Sequence, residues 1–358
     1  MPSSGIGWSF GEQVDRSRRG LGELLDAAGL GPMETPSRSR RLGPVATLKT
    51  YAHGPGAAAP LLLVPAPIKR AYIWDLAPGA SVVEQCLRHG LRVYLLQWER
   101  PSEAEQGYGL AEYADRLLLE CLSAIAAETG QTRVFLAGHS LGGTLAAIFA
   151  ALHPDRVRGL ALLEAPLHFT PDGGALERLV AVAPPVSVLS TLPGNVPGTF
   201  LDLVSVAASP SSFVWARWLD WIASLPDPQA RRTHLRVVRW TLDELALARR
   251  LFEEVVELLY RQDRFLRGAL LVGGRPARPE QVEAPLLSVV DPRSRLAPPR
   301  AVLPFHAASR SADARVLWYH GDVGVALQHV GALVGRTARQ EIWPAILRWV
   351  HRHWQARP

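Results

Sequence analysis

Residues 133–152 read Arg-Val-Phe-Leu-Ala-Gly-His-Ser-Leu-Gly-Gly-Thr-Leu-Ala-Ala-Ile-Phe-Ala-Ala-Leu. The apolar run 133–137 is typical of a buried strand, and 141–152 is typical of a helix. Between them lies a Gly-x-Ser-x-Gly pattern centred on Ser140. Its glycines allow the strained strand-to-helix turn on which a nucleophile is held. We therefore predict that Ser140 is a catalytic nucleophile.

Strands and helices alternate on both sides of this turn. Further apolar runs bounded by Gly and Pro predict strands at 61–64, 91–98, 157–163, 285–290 and 314–318. Helical patterns lie between most of them. This alternation favours a parallel sheet covered on both faces, so the predicted fold class is α/β.

The alternation is interrupted between residues 167 and 280, where prolines break a series of apolar and helical stretches. We expect this segment to be a mainly helical cap inserted into the domain. The α/β core is then formed by residues 46–166 and 281–358. Residues 1–45 are polar and rich in Gly, Arg and Ser, and we expect an N-terminal extension that packs on the surface.

Three tryptophans in the cap, Trp215, Trp218 and Trp221, follow one another at every third residue. This spacing places them on one stripe of a helix. Such a stripe either packs into a core or forms an apolar wall over a substrate pocket. The second interpretation makes the three tryptophans candidate substrate-binding residues.

A serine nucleophile needs a base, and the base needs an acid that orients it. In folds built around this turn, the acid and then the base follow the nucleophile along the chain. Asp291 comes directly after the run 285–290, and His329 lies between the last strand and the terminal helix. We predict these two residues as acid and base. Asp322 and His320 are the alternatives.

The oxyanion of the reaction needs two N–H donors. The N–H of Leu141, at the start of the helix, is the first candidate. The second donor normally comes from the loop after an early strand, which here reads Pro65-Ala66-Pro67-Ile68. Proline has no N–H, so the donor is Ala66 or Ile68.

The charge balance of the chain favours anionic partners. The formal net charge is +6, with a pI near 9.7. The arginines are scattered, however, and no nucleic-acid-binding motif accompanies them. We therefore expect no nucleic-acid partner, and an acidic lipid surface or a phosphorylated carrier such as coenzyme A remains open.

Cysteine and leader patterns predict a cytoplasmic protein. Cys86 and Cys121 each lie in a helix-like stretch and predict buried thiols rather than a disulfide. The first residues lack the basic and apolar regions of a signal peptide. No metal-ligand spacing is present, and we expect neither a metal nor another cofactor.

Taken in chain order, these motifs resemble the polyhydroxyalkanoate synthase branch of the α/β-hydrolase superfamily, over about residues 60–350. The similar stretches are Leu63–Ile68, Tyr72–Leu76, Trp98–Pro101, Gly138–Thr144, Asp291 with Pro298-Pro299, and His329–Gly331 followed by Trp343-Pro344. The resemblance implies an α/β-hydrolase fold and an acyl substrate carried on coenzyme A.

The chain departs from that family at three positions. The family polymerises 3-hydroxyacyl-CoA through a cysteine, whereas the turn here carries Ser140. A serine forms a less activated oxyester intermediate, which favours hydrolysis or simple acyl transfer. Lys69 stands where the family usually has asparagine, and Gln328 where it usually has glycine.

Three functions follow from this sequence. The first is a serine-dependent ester or thioester hydrolase or acyltransferase. The second is a polyhydroxyalkanoate synthase. The third is a non-catalytic protein bound through its apolar insertion to a hydrophobic polymer granule.

Overall fold

A computed structural model describes residues 9–54, 58–170, 173–184, 186 and 194–355. Its strands, in chain order, are β1 (Ser37–Gly43), β2 (Ala46–Tyr51), β3 (Pro60–Val64), β4 (Asp75–Ala77), β5 (Ala80–Ser81), β6 (Arg92–Trp98), β7 (Val134–His139), β8 (Val157–Leu163), β9 (Leu270–Val272), β10 (Arg275–Ala277), β11 (Leu286–Val290) and β12 (Ala314–Trp318).

The main sheet has eight strands within the described residues, in the order β1-β2-β6-β3-β7-β8-β11-β12. From β6 to β12 all neighbours are parallel, whereas β1, β2 and β6 pair antiparallel. The remaining strands form the small hairpins β4-β5 and β9-β10. The predicted α/β class is confirmed, and the parallel strands bring their carboxyl ends to one edge of the sheet.

Helices cover both faces of this sheet and build the cap. They are α1 (Ser9–Leu25), α2 (Val82–Arg88), α3 (Leu117–Thr129), α4 (Leu141–Leu152), α5 (Ala175–Val182), α6 (Gly198–Ala208), α7 (Ala216–Ser224), α8 (Pro228–Thr241), α9 (Arg249–Glu254), α10 (Pro299–Ala308), α11 (Gly331–Val334) and α12 (Trp343–Gln355). No helix in the described part of the chain combines the length and the hydropathy needed to cross a bilayer.

Strand β3, in the middle of the sheet, is apolar at every position because both of its faces are covered. In β3, Leu62 and Val64 belong to the apolar core on one face, and Leu61 and Leu63 to the core on the other. Strand β7 alternates in the same way. This double burial fixes the register of the strand that leads to Ser140.

The sheet begins earlier in the chain than the sequence indicates. Strand β1 lies inside segment 1–45, which the sequence assigns to a surface extension, and it pairs with β2. The side chains of residues 37–41, including Arg38, Arg40 and Arg41, are exposed. A charged edge strand lacks the apolar alternation that marks a strand, and it discourages edge-to-edge association.

The described part of segment 167–280 is mainly helical, as its sequence pattern indicates, with the addition of the β9-β10 hairpin. Helix α1 packs against this segment. The Asp15 carboxylate accepts hydrogen bonds from the N–H groups of Gly198 (3.2 Å) and Thr199 (2.8 Å), at the start of α6. Arg18 pairs with Glu244 at 2.8 Å. The N-terminal helix is therefore anchored to the cap by charged groups.

Candidate active site

Ser140 lies at the turn between β7 and α4. Its backbone angles are φ +54° and ψ −134°, a conformation that costs free energy for a residue with a side chain. The Ser140 N–H donates to the carbonyl of Leu163 at 3.0 Å, which fixes the turn to the neighbouring strand. Strain of this kind persists because the surrounding packing determines the backbone.

The glycines around Ser140 are required by close backbone approach. A Cβ on Gly142 would lie 2.3 Å from the carbonyl oxygen of Val64. A Cβ on Gly138 would lie 2.5 Å from the Cα of Gly143. Real Cβ atoms do not approach so closely, so the Gly-x-Ser-x-Gly pattern is a steric requirement of this turn.

The predicted oxyanion donors lie on two segments beside Ser140. Leu141 begins α4, and the first N–H groups of a helix have no acceptor within the helix. Ala66 and Ile68 both line the cavity that contains Ser140. The indole N–H of Trp98 donates to the carbonyl of Pro65 at 2.7 Å, which holds their loop in place. The arrangement leaves both Ala66 and Ile68 as candidates.

His329 lies in a short 3-10 turn, Gln328–Val330, between β12 and α11. It lines the same cavity as Ser140. Burial lowers the pKa of His329 to about 4, so the ring is neutral at pH 7 and able to accept a proton. Within the described residues Ser140 Oγ makes no hydrogen bond. Catalytic hydrogen bonds are often long before substrate binds.

A second histidine, His139, makes a hydrogen bond to the backbone of His329. The Nε2–H of His139 donates to the backbone carbonyl of His329 at 2.7 Å, and the two ring centroids are 4.7 Å apart. Burial, with a further contribution from His329, lowers the pKa of His139 to about 3. His139 is therefore a neutral donor at physiological pH, and it connects the Ser140 turn to the segment that carries His329.

The sequence-predicted acid, Asp291, follows β11 and is buried. Its Oδ1 accepts the N–H of Arg293 at 2.8 Å and lies 3.6 Å from that residue's Nε. Among the ion pairs of the described residues, none joins Asp291 to His329. Instead, Oε2 of Glu164 lies 3.7 Å from Nδ1 of His329.

Glu164 is a candidate that the sequence reasoning missed. It comes directly after β8, the strand next to β11, and it has a positive φ of +48°. The sequence does contain a signal for Glu164, namely an acidic residue directly after a buried parallel strand. Ligands and catalytic groups gather at that edge of an α/β sheet.

The alternatives Asp322 and His320 serve other roles. The Asp322 carboxylate accepts the Tyr319 hydroxyl (2.9 Å) and the N–H of Thr337 (2.9 Å). Its own backbone N–H and carbonyl are bound by the amide of Gln328. His320 is exposed and lines a different cavity, together with Asp322. The structure therefore brings His329, rather than His320, to the cavity of Ser140.

Cap residues hold the loop that carries His329. The Asp220 carboxylate accepts the N–H groups of Gly324 (2.8 Å) and Ala326 (2.7 Å). It also accepts Nδ1–H of His234 at 2.7 Å. Ala326 has a positive φ of +57°, three residues before the base. Asp220 thus connects helix α7 of the cap to the loop that carries His329.

The cavity has a volume of about 120 Å³. Its apolar wall includes Phe213, Leu201 and Trp240. The predicted tryptophan stripe does not form this wall: Trp215 and Trp218 are 68% and 62% exposed, and Trp221 packs against His234 instead. Spacing along the helix placed the tryptophans on one stripe but could not tell which way that stripe faces.

A cluster of charged side chains occupies one side of the cavity. Nζ of Lys69 contacts Glu244 at 2.7 Å and the carbonyl of Thr241 at 2.8 Å. Burial lowers the pKa of Lys69, and the Glu244 carboxylate opposes that effect. Lys69 directly follows the loop 65–68 and therefore connects that loop to the cap. The resembled family usually has asparagine at this position.

Comparisons with known proteins find similarity to an alpha/beta hydrolase family and to poly(3-hydroxyalkanoate) polymerase subunits. Residues 60–183 match the family described as the alpha/beta hydrolase fold. The chain is 27% identical over 347 residues to the poly(3-hydroxyalkanoate) polymerase subunit PhaC of Allochromatium vinosum, covering 95% of this chain and 96% of that protein. It is 31% identical over 292 residues to the corresponding subunit of Haloferax mediterranei, covering 81% of this chain and 58% of that protein.

Solved structures support the fold. The monoacylglycerol lipase of Paleococcus ferrophilus superposes with a TM-score of 0.50 at 17% identity. The superposition covers 83% of this chain and 96% of that one. At this identity the similarity shows the fold alone.

Proposed function

Because this chain is similar over most of its length to poly(3-hydroxyalkanoate) polymerase subunits, we propose that it is a member of the polyhydroxyalkanoate synthase-like branch of the α/β-hydrolase superfamily and transfers acyl groups through Ser140. The observation that carries the proposal is the strained Ser140 turn, which opens into one cavity together with His329. We propose a hydroxyacyl thioester as the substrate class, because the relatives are named as polymerases of 3-hydroxyalkanoates.

The reaction begins with proton transfer from Ser140 Oγ to Nε2 of His329. Oγ attacks the carbonyl carbon of the substrate, and the resulting oxyanion is held by the N–H of Leu141 and that of Ala66 or Ile68. The bond to the leaving thiolate then breaks, and the leaving group takes the proton from His329. An acyl-serine oxyester remains.

Deacylation repeats these steps with an acceptor hydroxyl in place of Ser140. His329 removes the acceptor's proton, the acceptor oxygen attacks the ester carbonyl, and Ser140 regains its proton. With water the product is a free hydroxy acid. With the hydroxyl of another acyl unit the product is an ester.

Polymerisation is the second candidate function, and the names of the relatives favour it. Each cycle would join the carbonyl of one unit to the hydroxyl of the next. The serine at position 140 favours the simpler transfer, since an oxyester intermediate is less activated than a thioester. The two candidates share every step up to the choice of acceptor.

The test is incubation with 3-hydroxybutyryl-CoA, followed by measurement of released coenzyme A, free acid and polymer. We expect coenzyme A release by the native protein and none above background by Ser140→Ala. Polymer would establish the second candidate, and free acid alone would reject it. Normal turnover by Ser140→Ala would refute the serine mechanism.

A matched variant, Ser140→Cys, separates the nucleophile from the pocket. If the cavity is built for chain growth, the cysteine variant should shift product from free acid to polymer. If it yields free acid alone, the pocket rather than the nucleophile sets the acceptor.

A further inference from the structure

Two buried carboxyl groups lie side by side at the carboxyl edge of the sheet, one after β8 and one after β11. The strands are paired, with Val289 opposite Leu163, and the N–H of Glu164 donates to the carbonyl of Val289 at 3.0 Å. We propose that Glu164, rather than Asp291, is the positioning residue that orients His329. This inference rests on the proposed acyl transfer.

The geometry toward His329 favours Glu164. Its Oε2 lies 3.7 Å from Nδ1 of His329, just beyond hydrogen-bond distance. In the described part of the chain both of these atoms are buried and lack a hydrogen-bond partner. A buried donor and a buried acceptor that make no hydrogen bond each cost free energy. A shift of less than 1 Å would satisfy both.

Asp291 is occupied elsewhere and supports Glu164 in turn. One of its carboxylate oxygens accepts the N–H of Arg293, whose side chain also lies beside it. Its own backbone N–H donates to Oε1 of Glu164 at 2.6 Å. This bond fixes one oxygen of Glu164 and leaves the other directed at the imidazole.

The tautomer of His329 depends on the ionisation of this acid. An ionised Glu164 accepts Nδ1–H and leaves the Nε2 lone pair free to take the proton of Ser140. A protonated Glu164 donates to Nδ1, so that Nε2 carries the ring proton and cannot act as a base. The reactive state is therefore the deprotonated one.

The surroundings of Glu164 raise the pH at which its carboxyl group ionises. Burial raises the pKa of Glu164 to about 8; the nearby Asp291 carboxylate adds to the rise, and hydrogen bonds from the Asp291 N–H and the Ser294 hydroxyl oppose it. Other ionisable groups near it are Tyr319, His329 and Arg293, which lies beside Asp291, and Arg295 lines the same cavity as Glu164. A raised pKa means that the ionised fraction grows as pH rises through about 8, so kcat/KM should rise over the same interval.

The experiment compares Glu164→Gln with Asp291→Asn, two isosteric neutralisations of neighbouring buried carboxyls. The readouts are kcat/KM with a p-nitrophenyl ester between pH 5 and 10 and thermal unfolding. We expect Glu164→Gln to lower kcat/KM by about 10³–10⁴-fold, as loss of the orienting acid does in serine triads, and to lose the rise near pH 8. Asp291→Asn should cost far less and keep that rise.

The reverse ranking, with the larger loss in Asp291→Asn and the pH 8 rise intact in Glu164→Gln, would overturn the inference. If Glu164→Gln does not fold, Asp291→Asn decides by itself: a loss above about 10³-fold refutes the assignment. Glu164→Asp keeps the carboxylate and should recover part of the rate.

Failure of the proposed function is visible separately. A native protein that is not acylated at Ser140 refutes the acyl transfer itself. If Glu164→Gln leaves acylation at Ser140 unchanged, the role of Glu164 is refuted but the proposed acyl transfer is not.

Discussion

Asp220→Ala tests whether the cap holds the catalytic loop. The substitution removes the acceptor for three hydrogen bonds, from the N–H groups of Gly324 and Ala326 and from His234. Each hydrogen bond to a buried carboxylate contributes about 1.5–3 kcal/mol, and the three are not additive because they share one group, so we expect a loss of about 3–5 kcal/mol.

The pH dependence of this contribution has a definite sign. Burial would raise the pKa of Asp220, but hydrogen bonds from His234, Ala326 and Gly324 lower it overall. A lowered folded-state pKa means that the stabilisation is present above the unfolded pKa of about 3.9 and is lost as pH falls through the lower, folded value. The difference between native protein and variant should therefore narrow in acid.

The assay is urea unfolding together with the rate at which a fluorophosphonate labels Ser140. We expect the variant to unfold at lower urea and to react more slowly, because the loop carrying His329 loses its anchor. Asp313→Ala is the matched control: Asp313 also pairs with a histidine, His353, at 2.9 Å, but at a partly exposed site. It should cost no more than about 1 kcal/mol. Equal effects of the two variants would refute the reasoning.

Four further substitutions test the turn and the cavity. Gly142→Ala should destabilise by more than about 3 kcal/mol in urea unfolding, because its Cβ would overlap backbone, whereas Gly20→Ala, with open space around it, should be neutral or stabilise by about 0.5–1 kcal/mol. Trp218→Ala should change stability by no more than about 0.5 kcal/mol and leave ester chain-length preference unchanged, since the side chain is exposed outside the cavity. Phe213→Ala removes a ring from the cavity wall and so enlarges the cavity. It should shift the kcat/KM preference toward longer acyl esters, with a gain in transition-state binding of up to about 0.8 kcal/mol per additional buried methylene. A chain-length profile that responds to Trp218 and not to Phe213 would contradict the placement of the wall.

Much of the central sheet could be read from the sequence. Helix α4 and strands β8 and β12 begin and end where the apolar runs predict, because Gly, Pro and charged residues mark their ends. The turn at Ser140 was predictable for a steric reason: only glycine fits where backbone segments approach so closely. The location of His329 followed from chain order.

Other features depend on contacts between distant parts of the chain. Strand β1 is stabilised by its pairing with β2, and its arginines conceal that pairing from a search for apolar alternation. The approach of Glu164 to His329 spans more than 160 residues. The sequence shows two acids at strand ends but not which one faces the imidazole. Only the three-dimensional arrangement separates Glu164 from Asp291.

The orientation of the cap could not be predicted for a related reason. A three-residue spacing identifies a stripe on a helix but not the surface against which the helix packs. Trp218 of α7 and Trp215, directly before it, are exposed, while Asp220 of the same helix is buried against the loop that carries His329.

The most direct test of the central claim is the intact mass of the protein after exposure to a fluorophosphonate, followed by peptide mapping. We expect a single adduct on the peptide containing Ser140, no adduct on Ser140→Ala, and slow labelling of His329→Gln. A folded native protein that takes no label, or an equal label on Ser140→Ala, would contradict a serine nucleophile at this turn.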